Sequence, residues 1–183
     1  MSKLLKMDLH SHPIEALKGE LGIKGIGDIG IKAAEAIAGR VKQAGLDGIA
    51  ITERGNFNSG WVASLEIREN FQHENLIILP GAEVEYYGQQ FVQIFIPDCY
   101  RGRIPFFKNK EWFLILIIPD QDSRLDFSKI DQIAYDAVEE KSVRGNFPAA
   151  KQIASATGIP TIECSDAHRL EDIGRYYTEI ECQ

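Results

Sequence analysis

The 183-residue sequence predicts an α/β fold with a largely parallel, barrel-like sheet, and three observations carry that expectation. Short apolar runs of strand length recur along the chain. Between them lie longer segments in which Ala, Ile and Val return at helical spacing. Polar residues able to do chemistry gather where the apolar runs stop, as they do at the C-terminal strand ends of barrel folds.

Taken in order, Lys6 to His10 predicts a first strand. Ile31 to Ala44 predicts a helix with Gly45 placed to end it, and Asp47 to Thr52 a short buried strand. A helix is expected over Trp61 to His73. Strands are expected at Leu76 to Leu79, Ala82 to Tyr87 and Phe91 to Ile96, the last two forming a hairpin at Gly88. Phe113 to Ile118 is the most apolar strand. Helices are expected at Asp131 to Glu140 and Pro148 to Thr157, and strands at Ile159 to Cys164 and Tyr177 to Glu181. No linker, low-complexity segment or repeat interrupts the chain, so one compact domain is expected.

A formal net charge of -7 argues against a duplex nucleic acid as partner, which would call for clustered Lys and Arg. It leaves room for a small phosphorylated substrate bound through a local positive site or a metal. Three cysteines, Cys99, Cys164 and Cys182, are widely spaced and odd in number, which suits reduced thiols in a cytoplasm. No signal-peptide core is visible, and the apolar run from Trp112 to Ile118 is too short to span a bilayer. A cytoplasmic protein without a membrane partner is expected; the oligomeric state is not legible.

Residues 25 to 30, GIGDIG, match the GxGxxG pattern of a dinucleotide site, with Glu53 placed to hold a ribose. The strand that should precede this pattern is poor, because LGIK at 21 to 24 contains Gly22 and ends on Lys24. A glycine-rich loop leading into a surface helix is the plainer reading, with a nucleotide-cofactor oxidoreductase as the outlying alternative.

The stronger signal is MDLHSHP at 7 to 13. His10 and His12, at i and i+2, project to one side of an extended backbone and can share one metal ion. GAEVE places Glu83 directly after the apolar run IILP. SDAH places Asp166 and His168, again at i and i+2, after PTIEC. Imidazole and carboxylate together suit Zn, Mn or Fe. His73 reads as a solvated residue, and Cys164 as a small buried one. Neither Ser nor Cys shows the His-plus-acid relay that a nucleophile requires.

MDLHSHP, LDGIAITERGN, ILPGAEVE and IECSDAHRLEDIG occur in the order of the motifs of the PHP (polymerase and histidinol phosphatase) superfamily, and most of the chain resembles it. The resemblance implies a distorted (βα)7 barrel and metal-dependent phosphoesterase chemistry at the C-terminal strand ends. It also implies His10, His12, Glu83, Asp166 and His168 as metal ligands, with Asp166 and His168 in the catalytic group and one or two divalent ions bound. Two positions depart from the pattern. Thr52, Glu53 and Arg54 stand where TDH is usual, and Ile118 stands where a histidine is usual. Arg54 is then expected to bind the substrate phosphate through its guanidinium, with Arg101 and Arg103 as further phosphate-binding residues. A PHP-like protein that binds a ligand or partner without turnover is the competing expectation.

Overall fold

The computed structural model describes residues 3–71, 75–118 and 133–183. Strands β1 (Lys3–Asp8), β2 (Gly48–Ile51), β3 (Ile77–Tyr86), β4 (Gln89–Phe95), β5 (Trp112–Leu116), β6 (Ala137–Ser142), β7 (Gly145–Asn146), β8 (Thr161–Glu163) and β9 (Thr178–Cys182) form one sheet. Helices α1 (Pro13–Leu21), α2 (Ile31–Gln43), α3 (Phe57–Asn70) and α4 (Pro148–Thr157) pack against it. The strand order is β7-β6-β5-β4-β3-β2-β1-β9, with β8 beside β6.

The sheet curls into a partial barrel. Every strand except β7 sends side chains into one apolar cluster, among them Met7, Ala50, Leu79, Val92, Ile115, Ala137, Ile162 and Ile180. Their alternating neighbours face outward. Ile49, Ile51 and Ile78 meet Leu17, Ile37 and Ile67 of α1 to α3, while Leu116 and Val138 meet Ala150 and Ile153 of α4. Beyond β8 the chain continues along the end of β1. Asp166 donates its backbone N–H to the His10 carbonyl at 2.8 Å, and His12 donates its own to the Ala167 carbonyl at 2.9 Å. Ser11 and Ala167 form an isolated parallel bridge.

The sheet is mixed where a largely parallel one was expected. β1–β2, β2–β3, β5–β6 and β6–β8 pair in parallel, but β3–β4, β4–β5, β6–β7 and β1–β9 are antiparallel. A tight turn at Tyr87 and Gly88, with φ of 52° and 75°, reverses the chain after β3. The two strands expected at 76–79 and 82–87 are one ten-residue strand, β3, running through Pro80. Pro80 is tolerated because it lies at the last position paired with β2, opposite Ile51.

The helix expected at Asp131 to Glu140 is corrected: Ala137 to Glu140 belong to strand β6, and residues 131 and 132 lie outside the described residues. Ala137 faces the inner cluster and Val138 the outer one, an alternation that only an extended chain produces. Helix α1 was not anticipated, although Pro13 at its first turn and Gly22 in the left-handed region at its end (φ 65°) are ordinary boundary signals. His73 and Pro119 lie outside the described residues.

Helix α3 sits very close to the sheet at Gly60. A Cβ there would meet the Ile51 carbonyl oxygen at 2.5 Å and that of Gly81 at 2.9 Å, both backbone atoms with little freedom to yield. Gly60→Ala is therefore expected to cost about 1–3 kcal/mol or more of stability, read as a lowered denaturant midpoint at unchanged slope.

Candidate metal centre

His10 and His12 lie where the chain bends after β1, Glu83 lies midway along β3, and Asp166 follows β8. Glu83 pairs with Val92 across the β3–β4 ladder, and Val92 belongs to the inner cluster, so the carboxylate faces the barrel interior. Asp166 adopts φ of 50°, a left-handed conformation uncommon for a residue with a side chain. Asp8 fixes that segment. Its Oδ1 accepts from the Ser165 N–H at 2.9 Å and its Oδ2 from the Gly174 N–H at 3.0 Å. Complete burial of Asp8 outweighs those bonds and pushes its pKa up to about 6.

The four side chains converge on one point. The Nε2 atoms of His10 and His12 are 3.1 Å apart. Glu83 Oε2 is 3.5 Å from the first and 3.2 Å from the second. Asp166 Oδ1 is 3.5 Å and 3.3 Å from the same two atoms. Five of the six edges of a tetrahedron are thus 3.1–3.5 Å long, which places its centre about 2 Å from each donor, the usual Zn–N and Zn–O length. All four residues are buried, and Asp166 Oδ1 has no hydrogen-bond partner among the described residues. The donor set and its spacing fit a divalent cation.

Behind the cluster, Glu139 is almost fully buried and its Oε2 lies 2.7 Å from His10 Nδ1. It continues the β6 alternation, inward after Ala137 and outward Val138. A carboxylate on Nδ1 fixes the tautomer that leaves Nε2 free to bind a metal. Burial works against a charged His10, but Glu139, helped by Glu83 and Asp166, pushes its pKa up to about 10. Burial likewise works against an ionised Glu83, and its contacts to His10 and His12 hold it well below the ordinary carboxylate range. Three buried carboxylates, from Glu83, Glu139 and Asp166, surround the two imidazoles, a charge balance in which a bound cation could be accommodated.

At the mouth of the cluster, His168 stacks on His12 with ring centroids 4.4 Å apart, and its Nε2 is 3.3 Å from Asp166 Oδ1. Burial and the neighbouring His12 hold its pKa low, against the pull of Asp166 and Glu15. The neutral ring matches its surroundings. Arg144 Nη2 lies 2.9 Å and Arg54 Nη2 3.3 Å from its Nε2, and Glu15 Oε2 lies 3.5 Å from its Nδ1. Arg144, from the β6–β7 turn, also places Nε 2.5 Å from Asp166 Oδ2, and Arg54 places Nε 3.5 Å from Glu83 Oε2. Asp166 thus divides its oxygens, Oδ1 toward the imidazoles and Oδ2 toward a guanidinium.

Glu139 and Arg144 were not anticipated from the sequence. Arg101 and Arg103, expected near a phosphate, are not brought into this group. Arg101 pairs with Asp98 at 2.8 Å and lies over the Phe95 ring, while Arg103 lines a cavity with Lys3 and Ile77, where β1 and β3 begin. Ile118 is buried in the outer cluster with Tyr135 and Phe147. Glu53 accepts from the backbone N–H groups of Ile14 at 2.7 Å and Glu15 at 3.2 Å, so it caps α1 rather than waiting for a ribose. The element leading into GIGDIG is a helix, not a strand: Leu21 ends α1, and residues 26 to 28 form a short 3-10 turn. No helix among the described residues is long and apolar enough to cross a membrane.

A buried His/Glu/Asp cluster able to hold a metal ion lies within a curled α/β sheet, and that fold recurs among known proteins. Residues 148–183 match the PHP-associated family, PHP_C. The fold is similar to a two-domain protein from Bacteroides vulgatus that contains a predicted PHP-like metal-dependent phosphoesterase (TM-score 0.61, 16% identity, 92% of this chain). This chain spans 53% of that protein's length. PsfC from Pseudomonas syringae is similar at TM-score 0.61 and 17% identity, over 94% of this chain and 80% of its own. A Bifidobacterium adolescentis protein inferred to be a metal-dependent phosphoesterase gives 0.60 and 13%, over 94% and 92%. None of the curated proteins matches the sequence. The PHP_C match covers the last fifth of the chain, and the three structures, each under 20% identical, share its fold.

Proposed function

We propose that the protein is a metal-dependent hydrolase of a small phosphate ester, working from a distorted PHP-type (βα)7 barrel. The observation that carries this reading is the buried four-atom cluster of His10, His12, Glu83 and Asp166. A divalent ion held there, Zn, Mn or Fe, would polarise a phosphoryl oxygen and lower the pKa of a water. Arg54 and Arg144 supply fixed positive charge at the mouth, each able to grip two phosphoryl oxygens. His168, neutral and half-exposed between them, is placed to take up or return a proton. One ion fits the cluster; a second at His168 would require the two guanidiniums to leave its Nε2.

The test is hydrolysis of p-nitrophenyl phosphate by protein stripped with chelator and reloaded with Mn or Zn. Turnover that returns with the metal supports the proposal. Metal bound at stoichiometry without turnover of any phosphate ester would favour the binding-protein reading, to which Arg54 and Ile118 point.

Arg144→Ala is expected to raise KM for the aryl phosphate about tenfold, and Arg144→Lys to recover part of it, since the ammonium keeps charge but loses the fork. Steady-state kinetics of the two variants checks this.

A further inference from the structure

Resting on that phosphoesterase reading, we propose that the substrate's alcohol portion is a small group carrying a second anion, and that it lies in the cavity beside the cluster that Lys18 and Lys24 line. A cavity of about 350 Å³ opens between α1, the 23–29 loop and the start of α3. Arg54 belongs to both places. It lines the cavity while its guanidinium reaches Glu83 and His168, so a phosphoryl group gripped by Arg54 directs its ester substituent inward.

The cavity is at the small end of ligand pockets, which run from about 300 Å³ upward, and suits a substituent of a few carbons rather than a nucleoside. One wall is apolar, with Ile14, Ile23 and Ile29 all buried. The lining also holds Lys18 and Lys24, both exposed, and neither ammonium has a hydrogen bond or ion pair among the described residues. Two carboxylates also line the cavity. Glu53 spends both oxygens on the start of α1, and Glu15 faces His168. In a chain of net charge -7, two uncommitted ammonium groups lining such a cavity select an anion.

The same assignment accounts for GIGDIG without a dinucleotide. Gly25 and Ile26 form part of the cavity wall. A Cβ at Gly25, Gly27 or Gly30 would meet nothing within 4 Å, so these glycines serve no tight packing.

Calorimetric titration with 3-phosphoglycerate and with glycerol 3-phosphate tests the proposal, because the two esters are similar in size and differ by a carboxylate. The parent protein is expected to bind 3-phosphoglycerate about tenfold tighter, and the Lys18→Ala/Lys24→Ala double variant to lose that preference. Glycerol 3-phosphate affinity and p-nitrophenyl phosphate turnover should be unchanged in the variant. Equal affinities in the parent, or a preference that survives the double substitution, would overturn the assignment. Discrimination without turnover of any phosphate ester would sink the hydrolase reading and leave the cavity assignment standing. Turnover without discrimination would do the reverse.

Discussion

His12→Ala is expected to strip the bound metal and abolish metal-dependent phosphoester turnover. The substitution removes one of four donors whose Nε2 and oxygen atoms lie 3.1–3.5 Å apart, leaving a three-donor set open on one side. Loss of an orienting contact alone costs about 10–100-fold in metal affinity, and loss of a ligand should exceed that. It also leaves Glu83 and Asp166, both buried, with one imidazole between them and removes the ring on which His168 stacks. Metal analysis of the purified variant by mass spectrometry, alongside p-nitrophenyl phosphate kinetics, reads both effects. Full metal occupancy in His12→Ala would overturn the four-residue site. Full occupancy with turnover lost would instead move His12 from holding the ion to acting on the substrate.

The residues that could be found in advance share one property: each stands at the end of, or just beyond, an apolar run strong enough to be read alone. His10 and His12 follow LLKMDL, Asp166 follows PTIEC, and Glu83 follows IILP even though the strand continues through it. Arg54 was legible by its place after GIAIT. Glu139 and Arg144 were hidden together, because apolar residues at 134, 135, 137 and 138 imitate a helical face. In the strand that forms instead, Ala137 and Glu139 share the inner face, and an acid there breaks the hydrophobic pattern that identifies a strand. A local pattern cannot show that this acid has an imidazole for a partner 129 residues away.

Arg101 and Arg103 lie away from the cluster. Their loop was rich in cations, but the turn at Tyr87 and Gly88 reverses the chain, so the segment after β4 emerges where β1 and β3 begin. The direction of one strand separates those guanidiniums from the cluster. The hairpin itself was expected, and carried through to the next loop it places them correctly.

Glu139→Gln is the sharper test of how the site is tuned, because it alters no metal-binding atom. With Glu139 ionised, His10 Nδ1 must carry the proton, and Nε2 presents its lone pair to the cluster. A carboxamide of nearly the same shape can accept that proton through its oxygen but brings no charge, so the imidazole becomes a poorer donor. Turned the other way, its NH2 group faces Nδ1 and favours the tautomer with Nε2 protonated, which cannot bind. Metal affinity is expected to fall about 10–100-fold, measured by competition with a chelator of known strength. Glu139→Asp keeps the charge but shortens the reach across the 2.7 Å contact, and should fall between the parent and the glutamine variant. Unchanged affinity in Glu139→Gln would mean that Glu139 balances buried charge without orienting the ring. A graded loss across the two variants assigns it control of the His10 tautomer, from a strand whose sequence resembles a helix.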